Sequence, residues 1–258
     1  MLYLLIDQGN TRVKYSLSRN EEWVALHNAQ TCTETIVSKF LEKNKHPNEE
    51  LAIIYSSVGK PHPETIAYLQ HISQYYIFLD DQTPLPLRKV DYNREKIGAD
   101  RIAVVVGAST LLKQKNRSKA LVIDVGTAIT YDYIDEVDCY LGGNIAPGPR
   151  IRFEALNSLT ARLPLVHFQE REDIPEYGHD TEEAILCGVL NGITYELEGC
   201  IAQYKQNNRR AKVFLAGGHA TFFANRIKNK IFVKPNLQML GLRKILEYNI
   251  QIYHNEQV

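Results

Sequence analysis

Two stretches of the chain drive an apolar strand into the same punctuation. "LLIDQGNTRVKYSL" at residues 4–17 ends its apolar run on Asp7 and turns at Gly9, and "LVIDVGTAITYDYI" at residues 121–134 ends on Asp124 and turns at Gly126. With residue 7 laid on residue 124, Leu4 falls on Leu121, Ile6 on Ile123 and Leu17 on Ile134. An apolar run closed by D-x-G is a common hairpin signal, and either copy alone reads as a tight turn with capped polar residues. The helices and strands downstream of each copy make the pair a duplication.

In the first half, "TETIVSKFLEK" (33–43) has helical spacing, with Ile36, Val37, Phe40 and Leu41 on one side. A strand over 51–59, a helix over 63–73 with proline near its start and a strand over 74–80 come next. In the second half, "CYLGGNIAPG" (139–148) completes a three-strand meander begun at Ala120. The spacing then predicts helices over 149–163 and 181–206, a strand over 211–218, a helix over 219–229, a strand over 231–235 and a closing helix over 236–250. Antiparallel strands succeeded by alternating helix and strand imply an α/β fold of two duplicated halves, mixed sheets with helices on both faces. A small-molecule site is expected in a cleft between the halves. The halves are residues 1–114 and 115–258, joined near the polar stretch "KQKNRSK" at 113–119.

Glycine after a strand permits a positive φ and lets a ligand come close to the backbone, and such a turn aims N–H groups outward where they cradle an anion. Asn10 and Thr11 add side-chain donors and Lys14 adds charge. Asp7 repels phosphate, so its sensible role is to hold a cation or a water that bridges to phosphates. The second copy offers Asp124, Gly126, Thr127 and Thr130. Two such hairpins grip a nucleoside triphosphate from both sides. The glycine clusters at 141–150 and 214–220 each end a strand and open a helix, and Gly217 and Gly218 either form a turn or let an adenine ring lie against backbone.

"IGADRIAVVVGASTLL" (97–112) is helical and mostly apolar from Asp100 onward. An acid in a first helical turn is favoured by the dipole by about 0.3–1 kcal/mol, which accounts for Asp100 without a function. Arg101 is harder to account for, since a cation is unfavourable there; an Asp–Arg pair facing a cleft takes a substrate hydroxyl and a substrate carboxylate. In "GHDTEEAI", Asp180 or Thr181 is the N-cap of the long helix.

Other classes are disfavoured. The chain has 258 residues, with 30 basic and 30 acidic side chains, and zero net charge argues against a nucleic-acid or membrane-surface binder. "MLYLLI" stops at Asp7, so it reads as a strand and not a signal peptide. No apolar run approaches the ~20 residues of a membrane span. The four cysteines lack C-x-x-C spacing and read as reduced thiols in a cytoplasmic protein. G-x-x-x-x-G-K-[ST], G-x-G-x-x-G, G-x-S-x-G and H-E-x-x-H do not occur.

With these residues in hand, the chain resembles a type III pantothenate kinase, a family of the actin, Hsp70 and sugar-kinase superfamily with ribonuclease-H-like halves. "DQGNTRVK" resembles the first phosphate motif, "GADR" the pantothenate motif, "DVGTAIT" the second phosphate motif, "GGNIAPG" the loop after it and "AGG" the adenosine motif, in the family's order. The resemblance implies ATP-dependent phosphorylation of pantothenate to 4'-phosphopantothenate, the first step of coenzyme A biosynthesis. It implies that Asp7, Gln8, Gly9, Asn10, Thr11, Arg12, Val13 and Lys14 line the ATP phosphates and that Thr127 touches ATP. Asp100 is then the base for pantothenate's primary hydroxyl. Gly98, Ala99, Arg101 and Tyr92 hold the substrate, with Arg101 at its carboxylate. Asp124 binds potassium or ammonium, and Mg2+ comes with ATP. Thr181 contacts pantothenate from the neighbouring subunit of a homodimer; the family pattern usually has asparagine where Asp180 stands. Two rival readings are another kinase or phosphatase of the superfamily and a non-catalytic regulator. The presence of Asp7, Asp100, Arg101 and Asp124 weighs against a degenerate site.

Overall fold

The structure, a computed structural model, describes residues 1–20, 22–59, 61–113, 118–168, 170 and 173–256. The chain divides into two compact units, residues Met1–Gln114 with Leu237–Val258, and Lys115–Asn236. Most of the expected junction, residues 114–117, lies outside the described residues.

In the first unit, β1 (Leu2–Gln8), β2 (Val13–Arg19) and β3 (Glu22–Ala29) form an antiparallel meander. Helix α1 (Glu34–Asn44) leads to β4 (Leu51–Ser57), and α2 (Pro63–Ile72) to β5 (Tyr75–Phe78). β4 lies parallel to β1 and to β5, giving the order β3-β2-β1-β4-β5. Strand alternation explains the near-continuous apolar run of β1. Leu2, Leu4 and Ile6 face α1 and α2, in a core with Tyr15, Val37, Phe40, Ile53 and Leu69. Leu5 faces the other way, with Ile54, towards α3 (Ala99–Lys113) and the C-terminal helix. β3 lies on the sheet edge with Trp23 and Leu26 exposed, which is why its pattern does not read as a buried strand. A two-residue strand β6 (Lys89–Val90) and a 3-10 turn (Arg94–Lys96) precede α3.

The second unit repeats the plan. β7 (Ala120–Val125), β8 (Ala128–Ile134) and β9 (Cys139–Pro147) form the meander. Helices α4 (Pro149–Ser158) and α5 (Thr181–Asn207) precede β10 (Lys212–Ala216), which runs parallel to β7. After α6 (Ala220–Ala224), β11 (Phe232–Val233) pairs in parallel with β10. Among the strands of this unit the order β9-β8-β7-β10-β11 matches the first unit strand for strand. One face of this sheet packs on α4, α5 and α6 through Leu121, Ile123, Phe153, Ile193, Leu197 and Phe223. By length and composition alone α5 qualifies as a membrane span, which the apolar patterning of the sequence does not predict. Ile185, Leu190, Ile193, Leu197 and Ile201 bury it in this core.

Four details depart from the sequence expectations. The duplicated hairpins do not overlay without a gap. Asp7 pairs with Lys14 across a four-residue loop, and Asp124 with Thr130 across a three-residue loop. Leu17 is thus equivalent to Tyr133 and not Ile134, because a one-residue slip would turn every side chain of the strand to the other face. α4 stops at Ser158, five residues early, where Leu159 is exposed and Pro164 lies ahead. α6 ends at Ala224, with Asn225, Arg226 and Ile227 N–H groups still donating to its carbonyls, and α5 side chains hold the backbone after that. Glu198 accepts from Lys228 N at 2.8 Å and Lys205 donates to Lys230 O at 2.8 Å. The closing helix α7 (Leu237–Asn255) runs past residue 250 and groups with the first unit, so the compact units differ from the sequence halves by this helix.

The helix α7 joins α3 through two glycines. A Cβ on Gly241 would strike the carbonyl oxygen of Ala103, and one on Gly107 that of Leu237. Backbone here meets backbone, and no flexible side chain can give way. Gly241→Ala is expected to destabilise the protein by about 1–3 kcal/mol, the usual cost of overpacking, read as a lower urea midpoint. An unchanged midpoint would contradict this close crossing.

Candidate active site

The first D-x-G turn closes with Gly9 N donating to Arg12 O at 3.0 Å. Asp7 ends β1 with only 4% of its surface exposed. Lys14 stands directly across from it on β2 and donates to Gln238 Oε1 of α7 at 3.4 Å. Asn10, Thr11 and Arg12 are exposed at the loop tip. Two of the eight expected phosphate residues point elsewhere. Val13 is buried in the core with Tyr15, and the side chain of Gln8 accepts from Tyr55 OH on β4. These two have only backbone to offer an anion. Alternation along the strand sets this, since Asp7 and Lys14 fall on one face and Gln8 and Val13 on the other.

At the start of α3, Asp100 folds back over its own helix terminus. Its Oδ1 accepts from Arg101 N at 2.8 Å, and a Cβ on Gly98 would collide with that oxygen. Gly98 is therefore what lets the carboxylate sit there. Arg101, 5% exposed, lies with its guanidinium 5.4 Å from the centre of the Tyr92 ring, a cation–π distance. The structure brings these two together although they are nine positions apart in the sequence. Beside them a cavity of about 400 Å³ is lined by Val58, Phe78, Leu79, Ile97 and Ile102, with Gly98 and Ala99 on its wall and Asp80, Asp81 and Arg94 among its polar groups. Arg94 is fixed by donating to the carbonyls of Asp80 (3.0 Å) and Thr83 (2.9 Å). Sequence reasoning missed this wall. The acids closing "YYIFLDD" at a strand end were the available signal.

In the second unit three motifs converge on one turn. Gly126 N donates to Ala128 O at 2.9 Å, and Gly148, the residue that opens α4, donates to Thr127 O at 3.0 Å. A Cβ on Gly148 would strike the carbonyl oxygens of Gly126 and Thr127. Gly217, at φ +94°, lies so close that a Cβ there would sit 2.5 Å from Val125 O and 2.6 Å from Asp124 Oδ1. His219 N donates to Val125 O at 3.1 Å. "DVGT", "APG" and "AGG" thus form one glycine-lined cradle around the Asp124 carboxylate, with Thr130 across the strand pair. Carboxylate, hydroxyl and backbone carbonyl oxygens are hard donors that suit an alkali cation. The donor set fits the monovalent cation expected at Asp124.

Thr181 does not join this cradle. It is exposed at the first turn of α5, and the N-cap is Asp180, which accepts from Glu183 N at 2.8 Å. Aspartate caps as well as the asparagine usual in the family, and the Thr181 hydroxyl is left out of the cap.

Two similar units, each with D-x-G at the end of its first strand, define the ATPase fold of the actin and sugar-kinase superfamily. Solved structures agree. A Campylobacter jejuni protein described as a Baf family transcriptional activator superposes with a TM-score of 0.59 at 22% identity, covering 96% of this chain and 99% of that one. A ROK hexokinase from Thermus thermophilus does so with a TM-score of 0.51 at 11% identity, covering 97% and 100%. Within that fold the sequence is more specific. Residues 3–203 match the family model for type III pantothenate kinase. The type III pantothenate kinase of Porphyromonas gingivalis W83 is 38% identical over 248 residues, 96% of this chain and 98% of that protein. The chain belongs to the type III pantothenate kinase family.

The cradle makes a stability contrast. Gly217→Ala places a side chain at positive φ against Asp124 and Val125, and is expected to cost about 1–3 kcal/mol. Gly218→Ala meets nothing within 4 Å and should stay within about 0.5 kcal/mol of the wild type. Equal unfolding midpoints for the two variants would contradict the convergence of the three motifs.

Proposed function

We propose that this chain transfers the γ-phosphoryl group of ATP to the primary hydroxyl of pantothenate, giving ADP and 4'-phosphopantothenate at the first step of coenzyme A biosynthesis. The observation that carries the proposal is the match to the family model over residues 3–203, joined to four of its motifs standing at strand and helix ends. Phosphoryl transfer asks the protein for positioning and charge neutralisation more than for covalent chemistry.

Each residue then has a role. Asp100 takes the proton of the attacking hydroxyl as the oxygen bonds to the γ-phosphorus and ADP leaves. The Arg101 N–H bond and the room made by Gly98 hold the carboxylate at the helix terminus. Arg101, steadied by Tyr92, meets the pantothenate carboxylate, and Gly98 and Ala99 offer backbone beside the 400 Å³ cavity. Along the ATP phosphates lie Asp7, the loop Gly9–Arg12, Lys14 and Thr127, with Gln8 and Val13 contributing backbone. Mg2+ accompanies ATP, and its charge offsets that of the phosphates. Asp124 holds potassium or ammonium, which supplies further positive charge there. Thr181, exposed and spared from capping, reaches pantothenate in the neighbouring subunit of a homodimer. The protein works in the cytoplasm, on small molecules and not on nucleic acid or membrane, in keeping with its zero net charge. The ligand-binding halves are residues 1–114 and 115–258, with α7 lending Gln238 to Lys14.

Two measurements test this. Asp100→Asn should lower kcat by about 10²–10⁴-fold, the range for a positioned acid or base; near-normal turnover removes Asp100 from the base role. ADP release should be weak in sodium and recover in potassium or ammonium, because the Asp124 carboxylate needs its cation. Equal rates in all three salts would sink the Asp124 assignment.

A further inference from the structure

The turn at Asp124 is backed by a polar chain of Thr130, Asp132 and Tyr140, of which only Thr130 falls within a phosphate motif. Asp132 lies two residues beyond Thr130 on β8, on the same face, and is fully buried. Its Oδ2 accepts from Thr130 Oγ1 at 3.0 Å, and its Oδ1 accepts from Tyr140 OH of β9 at 2.7 Å. Tyr140 is also fully buried, and Thr130 is 9% exposed. A carboxylate away from water is costly for folding unless it is hydrogen-bonded. Here it stands opposite Val122 in the strand pair, at a position where an apolar side chain would be cheaper. Such a local departure from good packing points to function.

The direction of the bonds shows what the chain does. A carboxylate accepts, and a hydroxyl has one proton to give. With its proton given to Asp132, Thr130 Oγ1 keeps only lone pairs for its other neighbours. Thr130 is the residue directly across from Asp124, and side chains at such paired positions lie about 4.5–5.5 Å apart at Cβ. We propose that Thr130 Oγ1 is a second protein ligand of the monovalent cation at Asp124, and that Asp132 and Tyr140 are positioning residues that turn its lone pairs to the ion. The inference rests on the assignment of a cation to Asp124. A second oxygen aimed from the facing strand gives the site a fixed width, which a lone carboxylate lacks.

The test is binding, not turnover. Affinity for a non-hydrolysable ATP analogue with Mg2+ is measured by calorimetry in potassium chloride and in tetramethylammonium chloride at equal ionic strength. The wild type should bind about tenfold or more tightly in potassium, and both Thr130→Val and Asp132→Asn should lose most of that advantage, as partners behind a metal ligand are worth about 10–100-fold in affinity. Thr130→Ser, which keeps the hydroxyl, should retain it. Thr130→Val is nearly isosteric, so it decides the matter if Asp132→Asn does not fold. A Thr130→Val protein with the full potassium advantage overturns the proposal while leaving Asp124 in place. A wild type with no potassium advantage overturns it together with the cation assignment, and leaves pantothenate phosphorylation to its own test.

Discussion

Everything at the candidate site depends on two strands being buried on both faces. Leu2, Leu4, Leu5 and Ile6 of β1 have no exposed surface, and neither have Leu121, Val122, Ile123 and Val125 of β7. Nothing on such a strand can meet a ligand except at its end. The chain places an aspartate there in both units, then a glycine turn. Asp7 is still 4% exposed, so its charge sits where water is scarce and electrostatic contacts are strong. The next strand returns antiparallel and sets a polar residue opposite each acid, Lys14 against Asp7 and Thr130 against Asp124. One unit thus supplies a positive charge beside its acid and the other an oxygen. Under the proposed assignments the same fold, used twice, meets phosphate in one case and a cation in the other.

Much of this was legible in the sequence. The D-x-G turns, the period-two strands and the helix spacings are local signals, and the mixed sheets result from their order. What was not legible depends on partners far away in the chain. Two glycines, Gly107 and Gly241, let α7 cross α3 closely, and no spacing rule announces that crossing. The backbone that runs on from α6 is held by Glu198 and Lys205, which lie on another helix. A single residue of loop length decided whether Leu17 matched Ile134 or Tyr133, and only the pairing reveals it.

The candidate site shows the same division. Tyr92 and Arg101 lie on different local segments, and the fold sets the Arg101 guanidinium over the Tyr92 ring. Val13 and Gln8 were named as part of a contiguous motif, yet alternation turns their side chains away into the core and to Tyr55. Motif membership named the segment, and strand geometry chose which of its side chains remain available. Asp132 and Tyr140 carried no motif signal, because a buried acid in a strand looks like any half-buried polar position until its partners are seen.

The fold alone is shared with a protein described as a transcriptional activator and with a hexokinase, so chemistry and not architecture has to carry the assignment. The most direct measurement tracks the product. Purified protein with ATP, Mg2+, potassium and pantothenate is analysed by mass spectrometry and by ADP release. One 4'-phosphopantothenate is expected for each ADP, with no ADP when pantothenate is omitted. A folded protein that binds ATP but releases no pantothenate-dependent ADP would contradict the assignment.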